Sequence, residues 1–214
     1  KSLHHIINQH YGYQGRNYTL IDIEVLRVST WILKSLRIIK EDSHIKLKGD
    51  TMNIFVLDDD IEKCARYHCD KHVVKMILES AQMLSTVSRE NGGEVGYKVV
   101  HKNHPCTKWV AESLDNWLWL QKLTMHLNNE YRYRYDKEIN HKSYDVACSL
   151  TRPDIPSIGL TPFKLAMPEE YKHKDAIKAY RDYYWHEKNN LLEWTRREVP
   201  DWIWTYYWTY YWTY

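Results

Sequence analysis

The sequence predicts a mostly α-helical single domain of about four to five helices with a short amino-terminal extended segment. Three observations lead there. Apolar residues recur at three- and four-residue spacing over long stretches. Glycine and proline, seven and six in all, cluster at a few joints. One short continuous apolar run, Asn53-Ile-Phe-Val-Leu57, has the character of a strand or an extended buried start.

Asp58-Asp59-Asp60 after that run supplies N-cap chemistry and negative charge at a helix start. The spacing predicts one long helix from about Ile61 to Ser88, ended by Asn91-Gly92-Gly93, with Val73, Met76, Ile77, Ala81, Leu84 and Val87 on its apolar face. Pro105 stands where a second helix would begin, and Trp109, Val110, Leu114, Trp117, Leu120, Leu123 and Leu127 carry it to about Tyr135. A shorter helix is expected within 136–150. Arg152 to Pro162 reads as a loop from its Pro and Gly. Pro168-Glu169-Glu170 opens a last helix running to about Glu193, with Pro200 as its far limit.

Composition limits the function classes. With 43% hydrophobic and 27% charged residues over 214 positions, the chain is globular rather than disordered. The first 200 residues hold no apolar run long enough to span a bilayer, so no membrane role is expected. Lys1-Ser2-Leu3-His4-His5 lacks the features of a signal peptide. Cys64, Cys69, Cys106 and Cys148 do not make a disulfide scaffold in a chain this long, which points to a reducing, cytoplasmic location.

Both ends are unusual. Residues 1–51 contain no Met, Ala, Pro or Cys. Lys48-Gly49-Asp50-Thr51-Met52 can be written AAA-GGA-GAT-ACA-ATG, a purine-rich ribosome-binding sequence ahead of a start codon. Residues 1–51 are therefore expected to be upstream read-through or another non-native extension, with translation starting at Met52. That segment carries eight Lys/Arg and five Asp/Glu, which leaves the remainder close to neutral. Any nucleic-acid contact must then come from a local patch. The domain is expected over 52–203. Residues 204–214 repeat Trp-Thr-Tyr-Tyr, a low-complexity tail that as a helix would align Trp204, Trp208 and Trp212.

The densest chemistry lies in Tyr67-His68-Cys69-Asp70-Lys71-His72-Val73-Val74-Lys75, followed by Glu79. On one continuous helix, His68, His72, Lys75 and Glu79 fall in a single stripe, extended by Gln82 and Thr86. The stripe is either a solvent-facing polar face or the border of a cleft for acid–base chemistry. A metal alternative draws on Cys64, His68, His72 and His104, because ligands one helical turn apart suit tetrahedral zinc. Two clusters interleave cations with aromatics: Glu130 to Lys142, with Arg132 and Arg134, and Ala179 to Lys188, with Tyr180, Arg181 and Tyr184. Such clusters either stack bases and meet phosphates or are half-buried rim residues. The chain has no Gly-rich phosphate loop, Gly-x-Ser-x-Gly or His-Glu-x-x-His.

Met52-Asn-Ile-Phe-Val-Leu-Asp58, His68-Cys-Asp-Lys-His-Val-Val-Lys75, Asn103-His-Pro105 with Trp109, Met167-Pro-Glu and Tyr180-Arg-Asp-Tyr-Tyr184 resemble a family of uncharacterised phage and large-virus proteins. More remotely the chain resembles the phage pyrimidine-dimer DNA glycosylases, also called endonuclease V. The shared points are an extended start, a long helix carrying His then Glu, a Pro entry to a second long helix, an Asp154-Ile-Pro156 loop and a late aromatic-basic cluster.

That resemblance implies base excision at ultraviolet-damaged double-stranded DNA by a monomeric enzyme without a cofactor. A terminal α-amine attacks the sugar C1′ and leaves an imine, while a first-helix glutamate stabilises the cationic sugar. Carried over, Glu79 is the carboxylate and His68 or His72 the histidine. Lys71, His104, Arg132, Arg134, Lys142, Tyr180, Arg181 and Tyr184 form the DNA-facing surface. The family exposes a threonine amine after removing its initiator, whereas Asn53 follows Met52 here. The nucleophile is then the Met52 amine, an imine-forming Lys71 or Lys75, or none. Two other functions compete: a non-enzymatic nucleic-acid- or host-protein-binding protein, and a metal-dependent hydrolase.

Overall fold

The computed structural model describes residues 52–212; the expectation for residues 1–51 lies outside them. Among the described residues the fold is all-helical, with seven α-helices and no strand. The expected four to five helices become seven because two predicted helices are each broken by an extended joint and one further helix follows Pro200.

Residues 52–57 are extended and entirely buried. No strand partner is needed, because side chains and neighbouring backbone take up their polar groups. Leu57 N–H donates to Cys64 Sγ (3.3 Å), the Cys64 thiol donates to Phe55 O (3.4 Å), and Arg181 Nε donates to Leu57 O (2.8 Å). Asp60 then caps α1 (Ile61–Tyr67), accepting from Lys63 N–H at 2.7 Å.

The predicted helix over 61–88 is two helices, α1 and α2 (Asp70–Glu90), because His68 and Cys69 are extended. Tertiary partners satisfy the joint. Tyr184 OH accepts from Cys69 N–H (2.8 Å), Glu193 O accepts from Asp70 N–H (2.8 Å), and the His68 ring Nδ1 bonds Cys64 O (2.8 Å). Helix α2 ends as expected at Asn91, with Gly93 N–H returning to Ser88 O (2.8 Å).

The second predicted helix also divides, into α3 (Pro105–Glu112) and α4 (Leu114–Arg134). Ser113 is extended, caps Asp115 N–H (3.1 Å), and Leu114 N–H goes to Pro156 O (2.9 Å). The short helix expected within 136–150 is α5 (Lys142–Ser149). The helix expected over 168–193 is a 3₁₀ turn, Glu169–Tyr171, then α6 (Ala176–Lys188), which Asp175 caps. Helix α7 (Asp201–Trp212) crosses the expected domain limit at 203, and Trp202, Ile203 and Tyr206 pack on the core. No helix among the described residues is long and apolar enough to cross a membrane.

Helices α2 and α4 form the central pair, with α3 and α5 on α2. Trp117 on α4 donates its indole N–H to Leu84 O on α2 (3.3 Å). The irregular segment 150–168 closes one side. It is held where Asn116 grips Thr161 (2.7 and 2.9 Å) and Trp109 Nε1 donates to Thr161 O (3.1 Å).

A buried polar cluster ties the elements at the α1–α2 joint. The Arg134 side chain has no exposed area. It donates to Glu130 (2.9 Å), Asp70 (3.0 Å), His68 O (2.8 Å) and Arg66 O (2.8 Å). Arg197 makes a bidentate pair with Glu130, and Thr195 donates to Asp70 through its N–H and hydroxyl. Arg134 is thus a structural residue, not part of a DNA-facing surface.

Two outcomes follow for stability. Replacing Arg134 by Ala leaves, among the described residues, Asp70 buried without a cation, Glu130 with Arg197 alone, and the Arg66 and His68 carbonyls without their donor, and should cost about 3–5 kcal/mol, read as a lower urea midpoint. A loss below about 1 kcal/mol would contradict a buried role. His68 is completely buried, and burial pushes its pKa down from 6.5 to about 4. Its neutral form therefore contributes stability that is complete above pH 6.5 and declines as pH falls toward 4. A His68→Gln variant should lose up to about 1.4 kcal/mol per pH unit of that slope, measured as urea midpoints across the window. Parallel profiles for the two proteins would refute it.

Candidate functional site

The extended segment and α2 meet at Glu79. Asn53 N–H donates to Glu79 Oε2 at 3.0 Å, twenty-six residues away in sequence. Lys75, one turn earlier on α2, places Nζ 3.3 Å from Glu79 Oε1. The Glu79 carboxylate is 10% exposed and the Lys75 side chain 32%. Lys75 thus reaches solvent while supplying compensating charge for a largely buried anion. The stripe predicted on α2 therefore turns inward at Glu79 rather than facing bulk water.

Asn53 is held on several sides. Its amide Nδ2 donates to Ala166 O (2.9 Å), and its Oδ1 accepts from Ile54 N–H (2.8 Å). Tyr180 OH lies 3.2 Å from Oδ1 and donates to Lys164 O (2.7 Å). Met52 is buried beside it, its Sδ 3.9 Å from the Thr107 hydroxyl on α3. Cys106 approaches Asn53 Oδ1 (3.8 Å), and burial pushes its thiol up to about 12, which keeps it protonated and unreactive.

His72 stacks on Phe55 (4.7 Å between centroids, 12° between planes) and shares a 2.8 Å hydrogen bond with Tyr184 OH. It braces the extended segment against α2 at Phe55. His68 does not join the stripe, because the helix break turns it into the core, where its Nε2 is buried without a hydrogen-bond partner among the described residues.

Asn53 and Lys75 thus meet at Glu79, with Met52 next in the chain, while His72 holds the same extended segment at Phe55, two turns earlier on α2. His104 is near their level, capping α3 through Cys106 N–H (3.2 Å), with its pKa lowered by burial and then by His101. The other sequence candidates scatter. Tyr180 and Tyr184 are completely buried and work as internal clamps, so they present no face for stacking bases. Lys71, Arg132 and Lys142 are on the surface. Arg132 is turned back on Glu138 O (3.0 Å) after α4.

Arg181 lies in a separate groove of about 640 Å³, lined by Asp58, Asp59, Lys63, Tyr67, Asp175 and Asp201, among others. Its guanidinium pairs with Asp58 (3.0 Å) and lies over the Tyr67 and Trp202 rings. Four aspartates against two cations make that groove a poor seat for phosphate.

The metal alternative is not supported by geometry. Among the described residues no three His, Cys, Asp or Glu side chains converge as ligands. Cys64, His68, His72 and His104 instead serve Phe55 O, Cys64 O, Tyr184 OH and the α3 cap.

Asn53 is the residue that sequence reasoning passed over, counting it only as the neighbour that would retain Met52. The signal was its place in Met52-Asn-Ile-Phe, directly before a run too apolar to be exposed. Comparison with curated proteins and with solved structures finds no match. A family model described as pyrimidine dimer DNA glycosylase matches residues 52–143, the stretch that contains Asn53, His72, Lys75, Glu79 and His104, and over it the chain is similar to that family.

Proposed function

We propose that the chain is a DNA glycosylase with strand-nicking lyase activity on pyrimidine-dimer DNA, worked by a terminal amine and Glu79. The observation that carries this reading is the 3.0 Å contact between the Asn53 backbone nitrogen and Glu79 Oε2. It brings the extended start and the α2 carboxylate together within the stretch similar to the family.

Within a peptide bond that nitrogen is an amide and has no nucleophilic lone pair. Freed at a chain terminus, it is an amine of pKa about 8, substantially neutral at working pH. Release at Asn53 also vacates the buried place of the Met52 side chain beside Thr107, which makes room at the nitrogen. A terminus at Met52 would put its amine one residue beyond the nitrogen that touches Glu79. Asn53 is therefore the better-placed nucleophile, on condition that Met52 is removed although Asn53 follows it.

The amine lone pair forms a bond to C1′ as the glycosidic C1′–N bond breaks, and that electron pair leaves with the base, which takes up a proton. Glu79 stabilises the positive charge at C1′ and accepts the amine proton. Ring opening gives an imine. Loss of a C2′ proton then expels the 3′ phosphate and nicks the strand. Lys75 keeps the Glu79 anion compensated while the site is empty, and Tyr180 and Ala166 hold Asn53 in register as positioning groups. A dimerised step is already weakly stacked and paired, so its opening costs least.

The test is borohydride trapping on ultraviolet-treated duplex with chains that begin at Lys1, Met52 and Asn53. The adduct should form with the Asn53 chain and map by peptide mass spectrometry to its terminal amine. Glu79→Gln should lower nicking by about 10²–10³-fold while duplex binding persists. An adduct on Lys71 or Lys75 would transfer the nucleophile to a side chain. Absence of nick and adduct from all three chains would overturn the enzyme reading.

A further inference from the structure

We propose that the loop from Lys98 to His104 is the arm that grips the DNA phosphate backbone beside Glu79, an inference that rests on the glycosylase reading. Lys98, His101, Lys102 and Asn103 are all exposed, and Val99 between them keeps 41% of its surface in solvent. Within seven residues the loop thus presents two lysines, two histidines and an apolar tip.

Its position connects it to Glu79 from two directions. Thr86 lies seven residues after Glu79 on α2, about 10 Å along the axis and on nearly the same face. The Thr86 hydroxyl donates to Val100 O (3.0 Å) and accepts from Val100 N–H (3.1 Å). The other end of the loop runs into α3 through the His104 cap. The first turn of α3 contributes Cys106 and Thr107 against Asn53 and Met52.

The arm is stiff, which lowers the entropy lost on binding. Arg89 anchors its base by donating to Tyr97 O (2.7 Å) and Gly96 O (3.1 Å), and Tyr97 OH meets Ser143 Oγ (2.9 Å). His101 sits at φ 49°, a left-handed conformation unusual for a residue with a side chain, and its carbonyl accepts from His104 N–H (2.9 Å). Glu90 already pairs with Lys102 (3.2 Å), but both partners are about half exposed and a phosphate can displace the carboxylate at small cost.

Charge elsewhere favours the same face. The groove around Arg181 carries Asp58, Asp59, Asp175 and Asp201 and repels a polyanion. With a nearly neutral domain, a compact basic arm attached about 10 Å along α2 from the carboxylate is what would orient a duplex.

The test is the salt dependence of binding to an undamaged fluorescent duplex, using the full chain. Each phosphate contact contributes about 0.9 to the slope of log K against log salt. Lys98→Ala/Lys102→Ala should flatten the slope by about 2, and Lys98→Arg/Lys102→Arg should restore it. Lys137→Ala/Lys174→Ala removes the same charge away from the arm and should leave the slope in place. Salt-dependent binding by the parent, with equal slopes for both alanine pairs, overturns the arm and leaves the glycosylase reading intact. No binding by the parent chain overturns both.

Discussion

The fold turns on the interruption between α1 and α2, and Arg134 holds that interruption together. A helix running unbroken from Ile61 to Glu79 would rise about 27 Å. The eight residues back to Asn53 can span about 28 Å only when fully stretched. They could not also turn at Asp58–Asp60 and bury four apolar side chains. Breaking the helix at His68 and Cys69 shortens the distance the chain must cover. It also frees backbone groups that need partners. Arg134 takes the carbonyls of Arg66 and His68, while Tyr184 and Glu193 take the N–H groups of Cys69 and Asp70. The expense of burying Arg134, Asp70 and Glu130 is met by near-complete pairing, with Arg197 and Thr195 filling the remaining sites.

Tyr184 links this joint to the chemistry. Its hydroxyl receives Cys69 N–H and also bonds His72, whose ring lies flat on Phe55. The extended segment is thus pressed against α2 by the same residue that closes the helix break. One turn earlier on α6, Tyr180 reaches Asn53 and Lys164 O. Two tyrosines of one helix therefore hold the extended segment, Tyr180 at Asn53 and Tyr184 at Phe55 through His72. Stacking them against bases instead would remove the support that keeps Asn53 at Glu79.

A division of charge accompanies this arrangement. Acidic residues collect where the extended segment ends and α6 and α7 begin, because each of those helix starts recruits aspartate to its exposed N–H groups. Basic side chains collect on the loop before α3. The chain as a whole carries a formal charge of only +2, and among the described residues its acidic and basic side chains are unevenly distributed.

Much was legible in the residues alone. Helical class, the cap within Asp58–Asp60, the helix start at Pro105, the stop at Asn91, the placing of Lys75 and Glu79 on one stripe and the likeness to pyrimidine-dimer glycosylases all follow from local pattern. These are short-range features, set by residues three or four apart and by the φ restrictions of proline. The breaks at His68–Cys69 and Ser113 were not legible, since their apolar periodicity continues through the joint and their partners, Tyr184, Glu193 and Pro156, lie 42 to 123 residues away. The same holds for the roles of individual side chains. Arg134, Tyr180, Arg181 and Tyr184 look alike on paper as cation-and-aromatic clusters. Only packing decided which of them would be walled into the core, which would sit among aspartates, and that Asn53 would be the residue to meet Glu79.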